Sequence, residues 1–126
     1  MKTKFSTNWK SSTQPRKQRK YRYNAPKHIK GKNLGSHLTQ DLRKKYGKRS
    51  VRIRTGDKVK IMRGQFRGKT GKVEKVNVKT EKVFISNIAI EKRDGTKVAY
   101  PIHASNLMIT ELNLQDKRRT DILKRK

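Results

Sequence analysis

The stretch GQFRGKTGKVEKV, residues 64–76, combines three glycines with basic side chains, and its GKT segment (68–70) matches the end of a nucleotide-binding P-loop. The P-loop pattern G-x-x-x-x-G-K-[ST] also requires a glycine at the position occupied by Arg63. A P-loop then leads into a helix, whereas residues 71–78 contain three valines, which favour a strand. The stretch is therefore interpreted as a basic turn between two strands, and a nucleotide hydrolase is not supported.

Positive charge dominates the composition, since 36 Lys and Arg stand against nine Asp and Glu in 126 residues, a net charge of +27. Such an excess indicates a polyanionic partner. Residues 1–50 hold 16 Lys and Arg, one acid and 11 of the 38 hydrophobic residues. A chain of this length forms about one domain. Because most hydrophobic residues follow residue 50, we expect its core in the remaining 76 positions.

Several other classes of protein find no support in the composition. Cysteine is absent, which excludes disulfides and thiolate metal sites. No apolar run approaches the length of a membrane span, and the N-terminus lacks the hydrophobic stretch of a signal peptide. The chain is expected to be intracellular and soluble, or soluble once it is in a complex.

Residues 1–35 alternate basic clusters with aromatic side chains, prolines and glycines, and we expect an extended, mostly irregular basic arm. This mixture suits RNA, because cations neutralise phosphates and aromatic faces stack on unpaired bases. Having few apolar groups, the arm is expected to become ordered only on RNA, although a solvated tail is the alternative. Trp9 could stack on a base or dock on protein. The arm residues predicted to contact RNA are Arg16, Lys17, Arg19, Lys20, Tyr21, Arg22, Tyr23, Lys27, His28, Lys30 and Lys32.

Residues 36–50 are predicted to form a short helix and a linker. Leu38, Leu42 and Tyr46 follow the i, i+4, i+8 spacing of one helical face. Gly47 is suited to end this helix after two to three turns.

From residue 51 the hydrophobic period changes to that of half-buried strands, and residues 51–114 are predicted to form a small five-stranded barrel. The alternation fails between Val73 and Val76, which indicates a bulge or a bend. Residues 115–126 are predicted to form a short basic C-terminal helix. The five strands are expected near residues 58–61, 69–78, 83–90, 97–102 and 107–112, with a turn at 93–96.

Residues 55–81, TGDKVKIMRGQFRGKTGKVEKVNVKTE, resemble the KOW motif, in which two strands flank a basic loop and a fixed glycine, here Gly71. Ribosomal proteins and transcription elongation factors both carry this motif. The flanks QPRKQRKYRYNAPKHIKGK, HLTQDLRKKYGKRSVRIRTGDKV and DGTKVAYPIHASNLMITELNL are similar to the KOW-domain family of the large ribosomal subunit, the L twenty-four/L twenty-six family. The resemblance covers nearly the whole chain, and the end after DILKRK resembles the archaeal branch.

The resemblance implies a mainly β, SH3-like barrel bound to the 5′ region of large-subunit ribosomal RNA near the polypeptide exit tunnel. It also implies a cytoplasmic, structural role in early subunit assembly. The expected partners are this RNA and neighbouring ribosomal proteins, and a membrane, a small-molecule substrate or a second copy is not expected. Arg52 and Ala104 stand where the family often has proline, which affects only loop geometry.

The barrel contributes a second group of predicted site residues. Cations of its loops are expected on RNA phosphates, and glycines let the backbone approach closely. The predicted RNA contacts are Arg49, Arg52, Arg54, Arg63, Arg67, Lys69 and Lys72, and the predicted structural glycines are Gly64, Gly68 and Gly71. Phe66 could serve either base stacking or the core.

No catalytic residue, metal site or cofactor is predicted. The three histidines, His28, His37 and His103, lack the spacing of a metal pair. The acids, Asp57 among them, alternate with cations as solvated positions do. Two alternatives remain, a transcription-associated KOW module, which explains only the barrel, and a chromosomal DNA-binding protein, which explains only the charge.

Overall fold

The computed structural model describes residues 5–6 and 12–125, so the expectation for Trp9 lies outside the described residues. The helices are α1 (Pro15–Asn24), α2 (Lys27–Lys30), α3 (Gln40–Tyr46) and α4 (Lys117–Lys124). The strands are β1 (Gly35–Leu38), β2 (Ser50–Arg52), β3 (Lys58–Ile61), β4 (Thr70–Asn77), β5 (Lys82–Ile85), β6 (Ala89–Glu91), β7 (Lys97–Ala99), β8 (Ile102–His103) and β9 (Leu107–Glu111). Single 3-10 turns cover Gly31–Asn33 and Ala104–Asn106.

Seven strands form one sheet in the order β2-β1-β9-β3-β4-β5-β8, and β6 pairs separately with β7. All neighbours are antiparallel except β1 and β9, which are parallel. The mainly β character is confirmed, and the described residues contain more strand segments than the five expected along the chain. The strand expected at 83–90 is divided at Asn87, whose φ is +63°, and the one expected at 97–102 is divided before Pro101, which has no N–H for the ladder.

The buried faces of the strands and loops enclose one apolar core. On β3, Val59 and Ile61 are buried and Lys58 and Lys60 are exposed, as the alternation predicts. The expected irregularity of β4 is confirmed by a register shift against β5 after Val73. The core residues are Leu34, Leu38, Val51, Ile53, Val59, Ile61, Val73, Val83, Ile85, Ile88, Ile102, Ala104, Leu107, Ile109 and Leu123.

The N-terminal segment is more regular than the sequence suggested. Instead of a mostly irregular arm, residues 15–24 form the ten-residue helix α1. Its sequence PRKQRKYRYN begins with proline, which is favourable in a first turn, and is rich in Arg, Lys and Gln, which have high helix propensity. High helix propensity between Pro15 and Pro26 therefore outweighs the irregular structure that the prolines and glycines of the segment favour.

The segment 36–50 also differs from the prediction. Leu38, assigned by its spacing to a helix, is the buried last residue of β1, and α3 begins only at Gln40. Residues 35–38 pair with β2 and β9, and this tertiary pairing outweighs the local spacing. The predicted end is correct, since Gly47 caps α3 in the left-handed conformation with φ +64°.

The predicted C-terminal helix is present as α4. Asp116 caps it by accepting a hydrogen bond from the Arg118 amide at 2.9 Å. Arg119 and Leu123, one turn apart, form its buried face. Among the described residues, no helix is long and apolar enough to cross a membrane.

Candidate nucleic-acid interface

The loop between β3 and β4, residues 62–69, presents cations on a tight backbone turn. Gly64 and Gly68 have φ values of +92° and +87°, a region that other residues rarely adopt. The Gly68 amide donates to the Ile61 carbonyl at 2.8 Å, which closes the loop. Three of its predicted RNA-binding residues, Arg63, Arg67 and Lys69, are exposed. The loop therefore holds three cations at the surface on a backbone that glycine makes possible.

Gly71 lies on β4, close to the end of β5. A Cβ atom at this position would lie 2.6 Å from Ile85 Cγ2 and 2.7 Å from the Ser86 carbonyl oxygen. The Lys72 amide donates to Ser86 Oγ at 2.9 Å. The absent side chain thus lets the two strands approach, and it leaves exposed Lys72 in place beside the loop.

Phe66, whose role the sequence left open, is half-buried against the core. Its ring centroid lies 5.1 Å from that of Tyr100 at an interplanar angle of 58°. Lys69 Nζ lies 5.3 Å from the Phe66 centroid. These two rings line a cleft of about 160 Å³ between the β3–β4 loop and β8.

The predicted contacts around β2 have different surroundings. Arg49, Arg52 and Arg54 are all exposed. The Arg52 guanidinium covers Gly31, where a Cβ would lie 2.7 Å from Nη2. Arg54 pairs with Asp116, and this hydrogen bond is the main reason why the pKa of Asp116 is lowered. The charge of Arg54 is therefore partly neutralised by the chain's own acid.

The predicted arm contacts lie on α1 and on the segment after it. Arg16, Arg19 and Arg22 are exposed on α1, and Tyr23 is 84% exposed. Tyr21 is half-buried and packs on Phe5, with centroids 4.9 Å apart. Of the others, Lys17 and Lys30 are half-buried and Lys20, Lys27, His28 and Lys32 are exposed. The helix therefore displays its cations on a regular scaffold.

The segment that follows α1 is attached to the β4–β5 turn. Lys30 Nζ donates to the Lys79 carbonyl at 3.4 Å, and Asn33 Nδ2 donates to Glu81 Oε1 at 2.9 Å. Glu81 adopts a φ of +57° at this turn. These contacts join the segment at Lys30 and Asn33 to the β4–β5 turn.

Asp57 was expected to be solvated, and this expectation is wrong, because it is fully buried beside Arg119. Arg119 Nη1 and Nη2 donate to its two carboxylate oxygens at 2.6 and 2.7 Å. The Arg54 and Asn113 amides each donate to the same carboxylate at 2.9 Å. This bidentate pair joins the β2–β3 loop to α4. In the sequence, the i, i+4 spacing of Arg119 and Leu123 is the local pattern that could have indicated that Arg119 is buried on the inner face of α4.

The histidines are not brought together. His28 is exposed on α2, His37 is half-buried on β1, and His103 accepts a hydrogen bond from the Ser105 amide at 3.2 Å through Nδ1. The nearest carboxylate oxygen to His103 Nε2, from Glu81, is 3.9 Å away. Within residues 5–6 and 12–125, no group of three or more His, Asp or Glu side chains is arranged to hold a metal ion.

Fold and surface together define a small, strongly basic β-sheet protein with cations displayed on a tight glycine-containing loop and on a helix. The model of the family of eukaryotic L26 and archaeal L24 ribosomal proteins matches residues 12–126, and the chain belongs to this family.

Three relatives have been given the name large ribosomal subunit protein uL24. The chain is 54% identical to that of Methanocorpusculum labreanum over 84% of its own length and 88% of the relative's. It is 48% identical to that of Methanocella arvoryzae over 92% and 94% of the two lengths. It is 47% identical to that of Methanosphaera stadtmanae over 91% and 98%. The chain is therefore a structural, non-enzymatic constituent of the large ribosomal subunit, and its location is cytoplasmic, with the ribosome.

Proposed function

We propose that this chain binds large-subunit ribosomal RNA in its 5′ region, near the polypeptide exit tunnel, and supports early assembly of the subunit. The main observation in support of this proposal is the net charge of +27 on 126 residues, displayed on a small folded domain. Ribosomal RNA supplies a phosphate for each of these cations, and release of its counterions drives binding. The RNA region and the role in assembly rest on the family resemblance.

Two surfaces supply the contacts in this proposal. The first is the β3–β4 loop with its neighbour Lys72, where glycines let phosphates approach the backbone. The second is α1 and residues 27–32, where aromatic side chains accompany the cations. Arg49 lies just before β2 and Arg52 lies on it, between these two surfaces in sequence. Arg54 contributes a further contact once RNA competes with Asp116 for its guanidinium.

The domain boundaries are proposed as an arm at 1–35, a helix and linker at 36–50, a barrel at 51–114 and a C-terminal helix at 115–126. Within the sheet, the consecutive strands β9-β3-β4-β5-β8 are the candidates for the SH3-like barrel.

The connection between β8 and β9 supports closure of these five strands. Strands at opposite edges of a flat five-stranded sheet lie about 19 Å apart, four spacings of ~4.8 Å. Here β8 and β9 are joined by one 3-10 turn, Ala104–Asn106, which rises only about 6 Å. A curled sheet that brings both edges together is compatible with so short a connection.

The test is to sediment purified large subunits carrying the tagged chain through a high-salt gradient. Co-migration with the subunit supports the proposal, and release of the chain at a salt concentration that leaves other core proteins bound contradicts it. Binding to a 5′ large-subunit RNA transcript and to a DNA duplex of equal length at matched salt separates the alternatives. Tighter binding to the duplex would favour a chromosomal protein. Sedimentation of the free chain as a monomer is expected.

A further inference from the structure

We propose that the cleft between the β3–β4 loop and β8 binds one unpaired nucleotide of the ribosomal RNA, with its base against Phe66 and Tyr100. This inference rests on the proposed function, since it names a subsite for the same RNA. The cleft has a volume of about 160 Å³. Pockets for drug-sized ligands start at about 300 Å³, so this space suits a single ring system.

The aromatic side chains form an angled wall of this cleft. Phe66 and Tyr100 come from separate parts of the chain, and both are half-buried with their rings 5.1 Å apart. Packing against the core fixes their orientation before any ligand arrives. A base that stacks on such a wall gains contact area at little cost in side-chain entropy.

Polar groups surround the rings on the remaining sides. Gln65 and Asn106 line the cleft, and no hydrogen bond within the described part of the chain uses their side-chain amides. An amide carries both donors and an acceptor, as recognition of a base edge requires. The Asn106 carbonyl accepts from the Met62 amide at 2.8 Å, which holds the two sides of the cleft together.

The charges at the cleft favour a nucleotide over a protein side chain. Arg63 and Lys82 line it, and Lys69 Nζ lies over the Phe66 ring, 5.3 Å from its centroid. His103 lines it as well, with Glu81 3.9 Å from its Nε2 as the nearest acid. Cations suit the phosphates on either side of a base, whereas charged residues are depleted at the centre of protein–protein interfaces.

The test uses the full chain and a transcript of the 5′ region of large-subunit RNA. Phe66→Leu keeps apolar volume against the core but removes the flat ring. We expect its Kd to rise about tenfold, or ~1.4 kcal/mol, with an unchanged salt slope because no cation is lost. Probing with dimethyl sulfate and a carbodiimide should show one unpaired base that wild type protects and Phe66→Leu exposes.

Tyr46→Leu is the matched control. Tyr46 is also half-buried on the core, and Lys45 Nζ lies 5.5 Å from its centroid, but it lies outside the cleft. Its Kd and footprint should equal those of wild type. If Phe66→Leu does not fold, Gln65→Ala, a substitution of an exposed residue, tests the subsite by the same chemical probing.

The outcomes separate the inference from the proposed function. If wild type binds the transcript and both Phe66→Leu and Gln65→Ala bind within twofold with an unchanged footprint, the subsite is wrong and RNA binding stands. A photo-crosslinking residue placed at position 65 that joins a protein in assembled subunits also overturns the subsite. If wild type does not bind the transcript, the proposed function fails and the subsite with it.

Discussion

At the scale of single residues, Gly71 shows how a missing side chain determines the fit of two strands. We expect Gly71→Ala to lower the free energy of unfolding by about 1–3 kcal/mol, the usual cost of overpacking. The reason is that the new Cβ would meet both a core side chain and the backbone oxygen of Ser86, at 2.6 and 2.7 Å. Urea unfolding measures the loss.

Gly35→Ala is the control for this substitution. Gly35 is also a strand residue, without a positive φ, and the nearest atom to an added methyl group would be 4.0 Å away. Equal stabilities of the two variants would show that the close approach of Gly71 to β5 does not contribute to the free energy of unfolding.

A second residue-scale prediction concerns the buried pair of Asp57 and Arg119. Arg119→Met should destabilise the protein by about 3–5 kcal/mol, because it leaves the Asp57 carboxylate buried without its counter-charge. Thermal and urea unfolding measure the effect. The double variant Asp57→Leu/Arg119→Met should recover part of it, since no lone charge remains.

The exposed pair of Lys58 and Glu111 provides the comparison. Its atoms lie 2.8 Å apart, but the side chains are 59% and 65% exposed. Glu111→Gln should therefore cost less than about 1 kcal/mol. A similar cost for Arg119→Met would contradict the role of burial.

At the scale of elements, α1 turns a run of cations into a displayed surface. Replacing Arg16, Arg19 and Arg22 by Gln keeps helix propensity and removes three exposed charges. We expect the log–log salt slope for binding to the RNA transcript to shrink by about 2–3, at 0.7–0.9 per phosphate contact. Filter binding at a series of salt concentrations measures this slope.

The β6–β7 hairpin offers a matched set of cations. Lys92, Arg93 and Lys97 are also exposed and lie outside the proposed interface. Their replacement by Gln should leave the slope close to that of wild type. If both triple variants changed the slope equally, the total charge and not its position on α1 would control binding.

The start of α4 gives a pH-dependent prediction. The pKa of Asp116 is lowered, first by the hydrogen bond from Arg54 and then by the Arg118 amide. A lowered folded pKa means that the stabilisation is present above the unfolded value of about 3.9 and is lost as pH falls through the folded value. Asp116→Asn should thus be less stable than wild type at neutral pH, and the difference should shrink below about pH 4.

Asp121→Asn, on the exposed side of the same helix, is the reference for this experiment. Stability from urea unfolding is compared at neutral and at acidic pH. A difference between wild type and Asp116→Asn that stayed constant with pH would show that the carboxylate charge contributes nothing.

At the scale of the whole molecule, a net charge of +27 opposes compaction of the free chain. Raising NaCl from about 0.01 M to about 0.1 M shortens the Debye length from about 30 to about 10 Å. We expect the Tm of the free protein to rise, by roughly 4 °C for each ~1 kcal/mol of repulsion removed, while RNA affinity falls. A Tm that decreased with salt would show that attractive ion pairs dominate the free protein; KCl should act as NaCl does.

Patterns along the chain predicted much of this architecture. The alternation in β3, the irregularity in β4, the end of α3 at Gly47 and the presence of the C-terminal helix α4 all follow from local rules of periodicity and capping. The errors arose where local and tertiary preferences disagree. Leu38 satisfies a helical spacing, yet its segment gains more by pairing with two strands.

The sequence by itself determined the charge, the mainly β class and the family resemblance, because each is a property of composition or of neighbours along the chain. Only the tertiary structure decided which distant residues meet. Asp57 and Arg119 are 62 positions apart, and their pairing depends on how α4 packs on the sheet. Phe66, between β3 and β4, and Tyr100, just before β8, meet although β3 and β8 are not neighbours in the sheet. Such contacts depend on the packing of whole elements, which no local period encodes.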